Sequence, residues 1–242
     1  MKTGAILQTR ISSIRLKNKS LLLIKDKTLT DWIILRLLRI KNVDTVIVAI
    51  ADEPGIEPLI EISKNRNVNW FVGPLDDVLA RYYYAARKFK LDVILRATGD
   101  NPLIDIVTAE MVIDKLIREK CDYVNIEGLP VGGGVEGFTF SALENNFKQA
   151  TNVYEHEHVT PYFYLNPDKF KLGKVISPYG DYSFLRLTVD EENDYKLINH
   201  LYEKLLKENK DFLPIERVFA YYKQNPEPFD WNKNVKQKIL GE

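Results

Sequence analysis

The chain has 242 residues, 45% of them hydrophobic and 28% charged, which suits one α/β domain with a sizeable core. Its 34 basic and 34 acidic side chains cancel, which argues against a grip on nucleic acid through overall charge, since that shows as a basic excess. The single cysteine, Cys121, excludes an internal disulfide and a multi-cysteine zinc site and reads as a small buried hydrophobe. No apolar run nears the roughly 18 residues of a membrane span, and the N-terminus has no signal-peptide core, so a cytoplasmic protein with no membrane partner is expected.

Residues 4–8 form a short apolar run and predict a buried first strand. A basic loop follows over 9–19. Apolar spacing predicts a helix over 28–40, with Thr28 or Thr30 as its cap. Strand 43–50, helix 54–66, strand 68–72, helix 76–90, strand 91–95, helix 106–120 and strand 123–126 complete an alternation that predicts a mostly parallel sheet with helices on both faces. Beyond residue 128 the pattern changes. A glycine-rich loop is expected over 131–137, helices over 138–148 and 155–164, and strands over 170–176 and 182–188. Helices over 191–207 and 215–223 precede a polar tail with two prolines. Without repeats or a clear linker, the simplest organisation is one domain with an inserted arm over about 129–180.

In such sheets ligands bind beyond the carboxyl ends of the strands, which directs attention to the loops after Gln8 and after Leu95. The first loop, Gln8-Thr9-Arg10-Ile11-Ser12-Ser13-Ile14-Arg15-Leu16-Lys17-Asn18-Lys19, has four cations and three hydroxyls. Arginine forks onto phosphate oxygens, lysine adds a mobile charge, and backbone N–H groups can extend the cradle. It has neither a Walker A nor a dinucleotide fingerprint, and a plain solvated loop is the competing interpretation. The second segment runs Arg96-Ala97-Thr98-Gly99-Asp100-Asn101-Pro102. A carboxylate at a strand end can hold Mg²⁺ together with phosphate oxygens, although glycine and Asn-Pro equally mark a simple turn. The third segment, Arg186-Leu187-Thr188-Val189-Asp190, ends a predicted strand before a helix. Asp190 is either an N-cap or a partner of Asp100 on one cation, and Arg186 either faces a ligand or solvent. His156 and His158 are two apart on a predicted helix, so their rings diverge and zinc is not expected.

Taken together and in order, these segments resemble the cytidylyltransferase family that includes the spore-coat polysaccharide protein F group, similar to the CMP-Kdo and CMP-sialic acid synthetases. The resemblance runs from Gly4 to about Asp194. It rests on Gln8 with Arg10, Arg15-Leu16 with Lys19, Asp76-Asp77-Val78-Leu79-Ala80-Arg81-Tyr82, Thr98-Gly99-Asp100 with Pro102-Leu103-Ile104-Asp105, Val135-Glu136, Glu157-His158-Val159-Thr160-Pro161-Tyr162, and Leu187-Thr188-Val189-Asp190. It implies a Rossmann-like nucleotide-diphospho-sugar transferase fold, Mg²⁺ as cofactor, CTP and a small acidic acceptor as substrates, and a homodimer through the arm.

By that resemblance, Arg10, Arg15 and Lys19 hold the triphosphate, with Leu7, Gln8, Thr9, Ser12, Ser13, Thr98 and Gly99 around the nucleotide. Asp100 and Asp190 hold the metal. Arg96, Asn101, Glu136, His158 and Arg186 are expected on the acceptor side, with Arg81 and Arg96 each either structural or substrate-facing. The chain departs from the family pattern at Ser12, where glycine is usual, and at Lys17-Asn18, where proline-glycine is usual. Asn18 can take the left-handed conformation that glycine would. The expected reaction is transfer of CMP to an acidic sugar or related acid. A sugar-1-phosphate nucleotidyltransferase using another NTP, a glycosyltransferase of related fold and a silent nucleotide-binding homologue are the alternatives.

Overall fold

The computed structural model describes residues 1–208 and 210–235. In chain order the first half supplies β1 (Thr3–Thr9), a small hairpin of β2 (Leu23–Ile24) and β3 (Lys27–Thr28), α1 (Leu29–Leu37), β4 (Thr45–Ala51), α2 (Glu57–Asn65), β5 (Asn69–Gly73), α3 (Val78–Phe89), β6 (Val93–Thr98), α4 (Ile106–Glu119) and β7 (Tyr123–Glu127). The second half supplies β8 (Glu136–Thr139), α5 (Phe140–Gln149), α6 (Val153–His158), α7 (Pro161–Leu165), β9 (Leu172–Ile176), α8 (Glu192–Leu205) and α9 (Ile215–Gln224).

Seven strands form one sheet in the order β5-β4-β1-β6-β8-β7-β9. All pairs are parallel except those of β8, which runs antiparallel to β6 and β7. Alternation along β1 and β4 sends Ala5, Leu7, Val48 and Ile50 into one apolar layer with α1, α4 and α8. It sends Ile6, Ile47 and Ala49 into the other, with α3 and α5. This is the expected mostly parallel α/β sheet with helices on both faces. Of the two caps expected for α1, Thr28 is the one used, accepting from the N–H of Asp31; Asp77 caps α3 through the N–H of Ala80 and Asp105 caps α4 through that of Thr108. Cys121 is buried.

Several expectations change. The glycine-rich stretch is no simple loop: its end forms β8, and a side chain at Gly137 would collide with Val112 of α4 at 2.4 Å. The glycine that weakens a strand signal is what lets α4 rest on the sheet here. The helix expected over 138–148 therefore starts at Phe140, capped by Thr139. The helix expected over 155–164 is two short helices, broken where Val159 adopts φ 70° ahead of Pro161. The stretch 129–180 supplies β8 inside the sheet and β9 at its edge.

No strand forms over 182–188. Leu185, Leu187 and Val189 alternate with polar residues, which mimics a strand, but Arg186 and Thr188 between them are buried as well, and the ladder contact there among the described residues is one bridge between Val131 and Arg186. The backbone donors go to loops instead: Leu187 N–H to Val131 C=O at 2.7 Å and Val189 N–H to Asp100 C=O at 2.8 Å. The polar tail packs as far as it is described, with Phe229 and Asn232 buried; its last residues, 236–242, lie outside the described part.

Candidate active site

The site is built at the carboxyl ends of β1 and β6. Their register pairs Gln8 with Thr98, so the loops that follow emerge side by side. Leu7 is a core side chain, so only its backbone can face the site. Gln8 Oε1 and Thr9 Oγ1 are buried at the strand end and make no hydrogen bond. Buried polar atoms without a partner are costly, and here they sit where a ligand is expected. The β6 loop folds tightly over them: a side chain at Gly99 would meet the Gln8 carbonyl at 2.8 Å.

The basic loop rises from Thr9 and ends in a 3-10 turn (Lys19–Leu21) whose preceding residue, Asn18, has φ 52° and ψ 32°. Asparagine thus takes the left-handed position usually given to glycine. Arg10, Ser12, Ile14 and Arg15 are exposed along the loop. Ser20 Oγ holds the Arg10 carbonyl at 3.0 Å, which ties the loop's two ends.

Lys19 joins the three segments. Its Nζ lies 3.3 Å from Asp100 Oδ2, 2.9 Å from Asp190 Oδ1 and 3.2 Å from the Val189 carbonyl. Burial works against the Lys19 ammonium, but Asp100 and Asp190 outweigh it and raise its pKa. Asp190 is likewise disfavoured by burial, yet Lys19, Arg15 and Arg186 hold its pKa below the usual carboxylate value. Arg15 reaches Asp190 at 2.9 Å and Glu191 at 3.7 Å.

Asp190 is not the cap of α8; that role belongs to Glu191, in a capping box with Asp194. Nor does it end a strand. It is brought to Asp100 by the hydrogen bonds of Thr188 and Val189 to the Asp100 carbonyl, at 3.2 and 2.8 Å. Gly132 permits the approach, because a side chain there would strike the Thr188 nitrogen at 2.6 Å. Arg186 turns inward, pairing with Asp190 at 2.8 Å and with the fully buried Asp194 at 2.9 Å. It stands behind Asp190, supporting it, and does not line the cavity described next.

Beside Asn101 opens a cavity of about 430 Å³ lined by Arg96, Thr98, Asn101, Tyr123, Asn125 and Glu136, with Ile126, Leu129, Pro130, Gly134, Val135 and Tyr164 completing its wall. Arg96 pairs with Glu136 at 2.6 Å, and the Tyr123 hydroxyl donates to the other Glu136 oxygen. Burial opposes the Arg96 charge, but Glu136 outweighs it and raises the pKa; burial and Glu136 together push the Tyr123 phenol well above its ordinary value. Asn101 donates to Thr98 Oγ1 at 2.7 Å. His158 is not in this lining; its ring packs against Tyr154 at 4.5 Å between centroids. Tyr123, Asn125 and Tyr164 were not singled out from the sequence, because nothing marks an aromatic residue on a strand or short helix as cavity-facing.

Among the described residues no group of three or more histidine, cysteine or acidic side chains is placed to hold a metal. His156 has both ring nitrogens engaged, Nδ1 with Asp77 at 2.9 Å and Nε2 with the Ala150 carbonyl at 3.2 Å. Asp100 and Asp190 are two carboxylates on one point, a donor set that suits Mg²⁺ completed by phosphate oxygens.

A cationic loop, two convergent carboxylates and an adjoining polar cavity on this fold define a nucleotidyltransferase. The chain belongs to the cytidylyltransferase family, whose model matches residues 4–232. It is 37% identical, over all of its own length and 99% of the other's, to an uncharacterised protein of Methanocaldococcus jannaschii. It is 27% identical to the spore coat polysaccharide biosynthesis protein SpsF of Bacillus subtilis, over 82% of this chain and 85% of that one. It superposes on a cytidylyltransferase from Leptospira borgpetersenii with TM-score 0.87 at 30% identity, over 99% of this chain and 100% of the other.

Proposed function

We propose that this enzyme transfers CMP from CTP to a small acidic acceptor, an acidic sugar or related acid, with release of pyrophosphate, in the supply of activated sugars for surface polysaccharide. The observation that carries this reading is the meeting of Lys19 with Asp100 and Asp190, with Asn101, the next residue after Asp100, lining a polar cavity of about 430 Å³. Membership of the cytidylyltransferase family supports CTP as donor, and the likeness to SpsF supports the polysaccharide setting.

In this reading Arg10, Arg15 and Lys19 bind the triphosphate and stabilise charge that develops on the leaving pyrophosphate. Gln8, Thr9, Thr98 and Gly99 shape the floor on which the nucleotide lies, and Ser12 and Ser13 offer hydroxyls at the rim. Asp100 and Asp190 would hold Mg²⁺. That ion, when bound, neutralises phosphate oxygens and orients in-line displacement at the α-phosphorus. Asn101 and Asn125 present amides to acceptor hydroxyls, while Arg96, steadied by Glu136, supplies the cavity's cation for an acid group. The acceptor oxygen bonds to phosphorus, the bond to the β-phosphate oxygen breaks, and pyrophosphate departs with that electron pair.

The same reading places the enzyme in the cytoplasm as a homodimer through the face of 129–180, where Leu165, Leu172 and Ile176 are exposed; sedimentation velocity tests the dimer. The test of function is pyrophosphate release from each of the four NTPs with Mg²⁺ and a panel of sugar acids, sugar phosphates and phosphorylated small acids. CTP with a sugar acid should respond. Response only with a sugar 1-phosphate would move the acceptor class, and nucleotide binding without release for any acceptor would mark a silent homologue.

A further inference from the structure

The turn after β4 carries an acid for which neither the fold nor the chemistry above gives a use. Glu53 reaches across to the basic loop, where Oε1 accepts the Ile11 N–H at 2.5 Å. The Ser12 N–H points at the same carboxylate, 3.1 Å from Oε1 and 3.3 Å from Oε2. These are the backbone donors that a phosphate-binding loop usually turns toward its ligand. In this chain they are satisfied from within, at the position where Ser12 replaces the usual glycine.

The loop is thus fastened at three points: Glu53 holds its backbone at Ile11 and Ser12, Ser20 holds the Arg10 carbonyl, and Asp190 holds Arg15. The last two ties act on the residues that flank the phosphate position. Without the first, the segment from Arg10 to Arg15 would span the site with its middle unfastened, since Ile14 is fully exposed. A cation backs this contact: Arg81, buried at the start of α3, has both Arg10 and Glu53 within electrostatic reach, and its Nε and Nη1 make no hydrogen bond.

Resting on the proposed function, we infer that Glu53 is a positioning residue for nucleotide transfer: it clamps the phosphate loop in the shape that keeps Arg15 with Lys19 on Asp190 and fixes the backbone next to Arg10. The phosphates are then held by side chains, because the two backbone donors are already taken. The competing role is that of a stand-in anion, expelled when the triphosphate arrives. The two roles differ in sign. A clamp that is removed leaves a looser loop and weaker binding; a competitor that is removed leaves a freer nest and tighter binding.

The experiment uses the full chain with Glu53→Ala and Glu53→Gln, titrated calorimetrically with CTP plus Mg²⁺ and with inorganic triphosphate. Steady-state kinetics and thermal unfolding run alongside. Glu53→Ala should weaken both ligands about tenfold, the scale of a lost charge-assisted hydrogen bond. The KM for CTP should rise while kcat and the melting temperature stay close to wild type. Glu53→Gln, whose amide oxygen still accepts an N–H, should recover most of the loss. If Glu53→Ala does not fold, Glu53→Asp replaces it, its carboxylate one methylene short of the loop, with the same expected loss. Unchanged or tighter binding overturns the clamp, and tighter binding identifies the competitor. Wild-type protein that binds neither CTP nor triphosphate would bring down the proposed function itself, and the clamp with it.

Discussion

The Lys19 ammonium lies 2.9 Å from the Asp190 carboxylate, across 171 residues of chain. With Asp100 at 3.3 Å on the same nitrogen, one lysine balances two acids that a bound metal would otherwise hold. Nucleotide and metal should therefore redistribute this charge together, freeing the lysine for phosphate. Lys19→Met should lower cytidylyl transfer by about two to three orders of magnitude, the scale of losing one preorganised charge donor. Initial rates of pyrophosphate release at saturating CTP measure it; a loss under tenfold would remove Lys19 from the chemistry.

Asp100 and Asp194 should part company in stability. Asp190 is anchored to Arg186, and Asp194 behind it is fully buried, bonded to Arg186, to Asn232 and to the backbone N–H groups of Asp190 and Glu191. Asp194→Ala leaves a buried arginine short of its partner and should cost about 3–5 kcal/mol. Asp100→Asn, at a half-open loop position, should unfold in urea at close to the wild-type midpoint while losing transfer. Equal midpoints for Asp194→Ala and wild type would refute the support role of that network.

Arg96 and Glu136 should set acceptor affinity and leave the nucleotide untouched. Glu136→Gln keeps a hydrogen-bond acceptor for Arg96 but removes the charge that steadies it. The acceptor KM should change about tenfold, as expected for one charge-assisted hydrogen bond, with the KM for CTP nearly constant. A change confined to CTP would place the cavity on the nucleotide side.

The His156–Asp77 pair joins α6 to the start of α3. Burial lowers the imidazole pKa, but Asp77 and the Ala150 carbonyl outweigh it, so the folded value is raised. A raised folded value means the contribution is complete below the unfolded pKa of about 6.5 and fades as pH climbs through the folded one. Melting temperatures of wild type and His156→Gln should differ at pH 6 and converge as the pH rises. A gap that widens with pH has the wrong sign.

The two loops and the charged residues of this site are legible in the sequence. The apolar runs ending at Gln8 and Leu95 pointed to two loops that the structure brings side by side, and the residue types in them suggested the chemistry. What escaped was how distant segments meet. The alternation of Leu185, Leu187 and Val189 with polar residues implied a strand, yet Arg186 and Thr188 between them are buried as well, and the segment docks through loop carbonyls. Gly137 suppressed the signal of β8 because its value lies in the contact with α4, which no local window contains. Arg186 carries a charge in a site segment, and only the fold shows it turned toward Asp194. Glu53 was invisible for the same reason: its partners are backbone N–H groups, which leave no mark on the sequence.

The most direct test of the convergence of Lys19, Asp100 and Asp190 is the binding of Mn²⁺, in place of Mg²⁺, followed by electron paramagnetic resonance with and without CTP. Wild-type protein should take up the ion strongly only when CTP is present, and Asp100→Asn and Asp190→Asn should each lose that uptake. Variants that hold Mn²⁺ and CTP as the wild type does, and still release pyrophosphate, would show that the two carboxylates do not serve one nucleotide–metal complex.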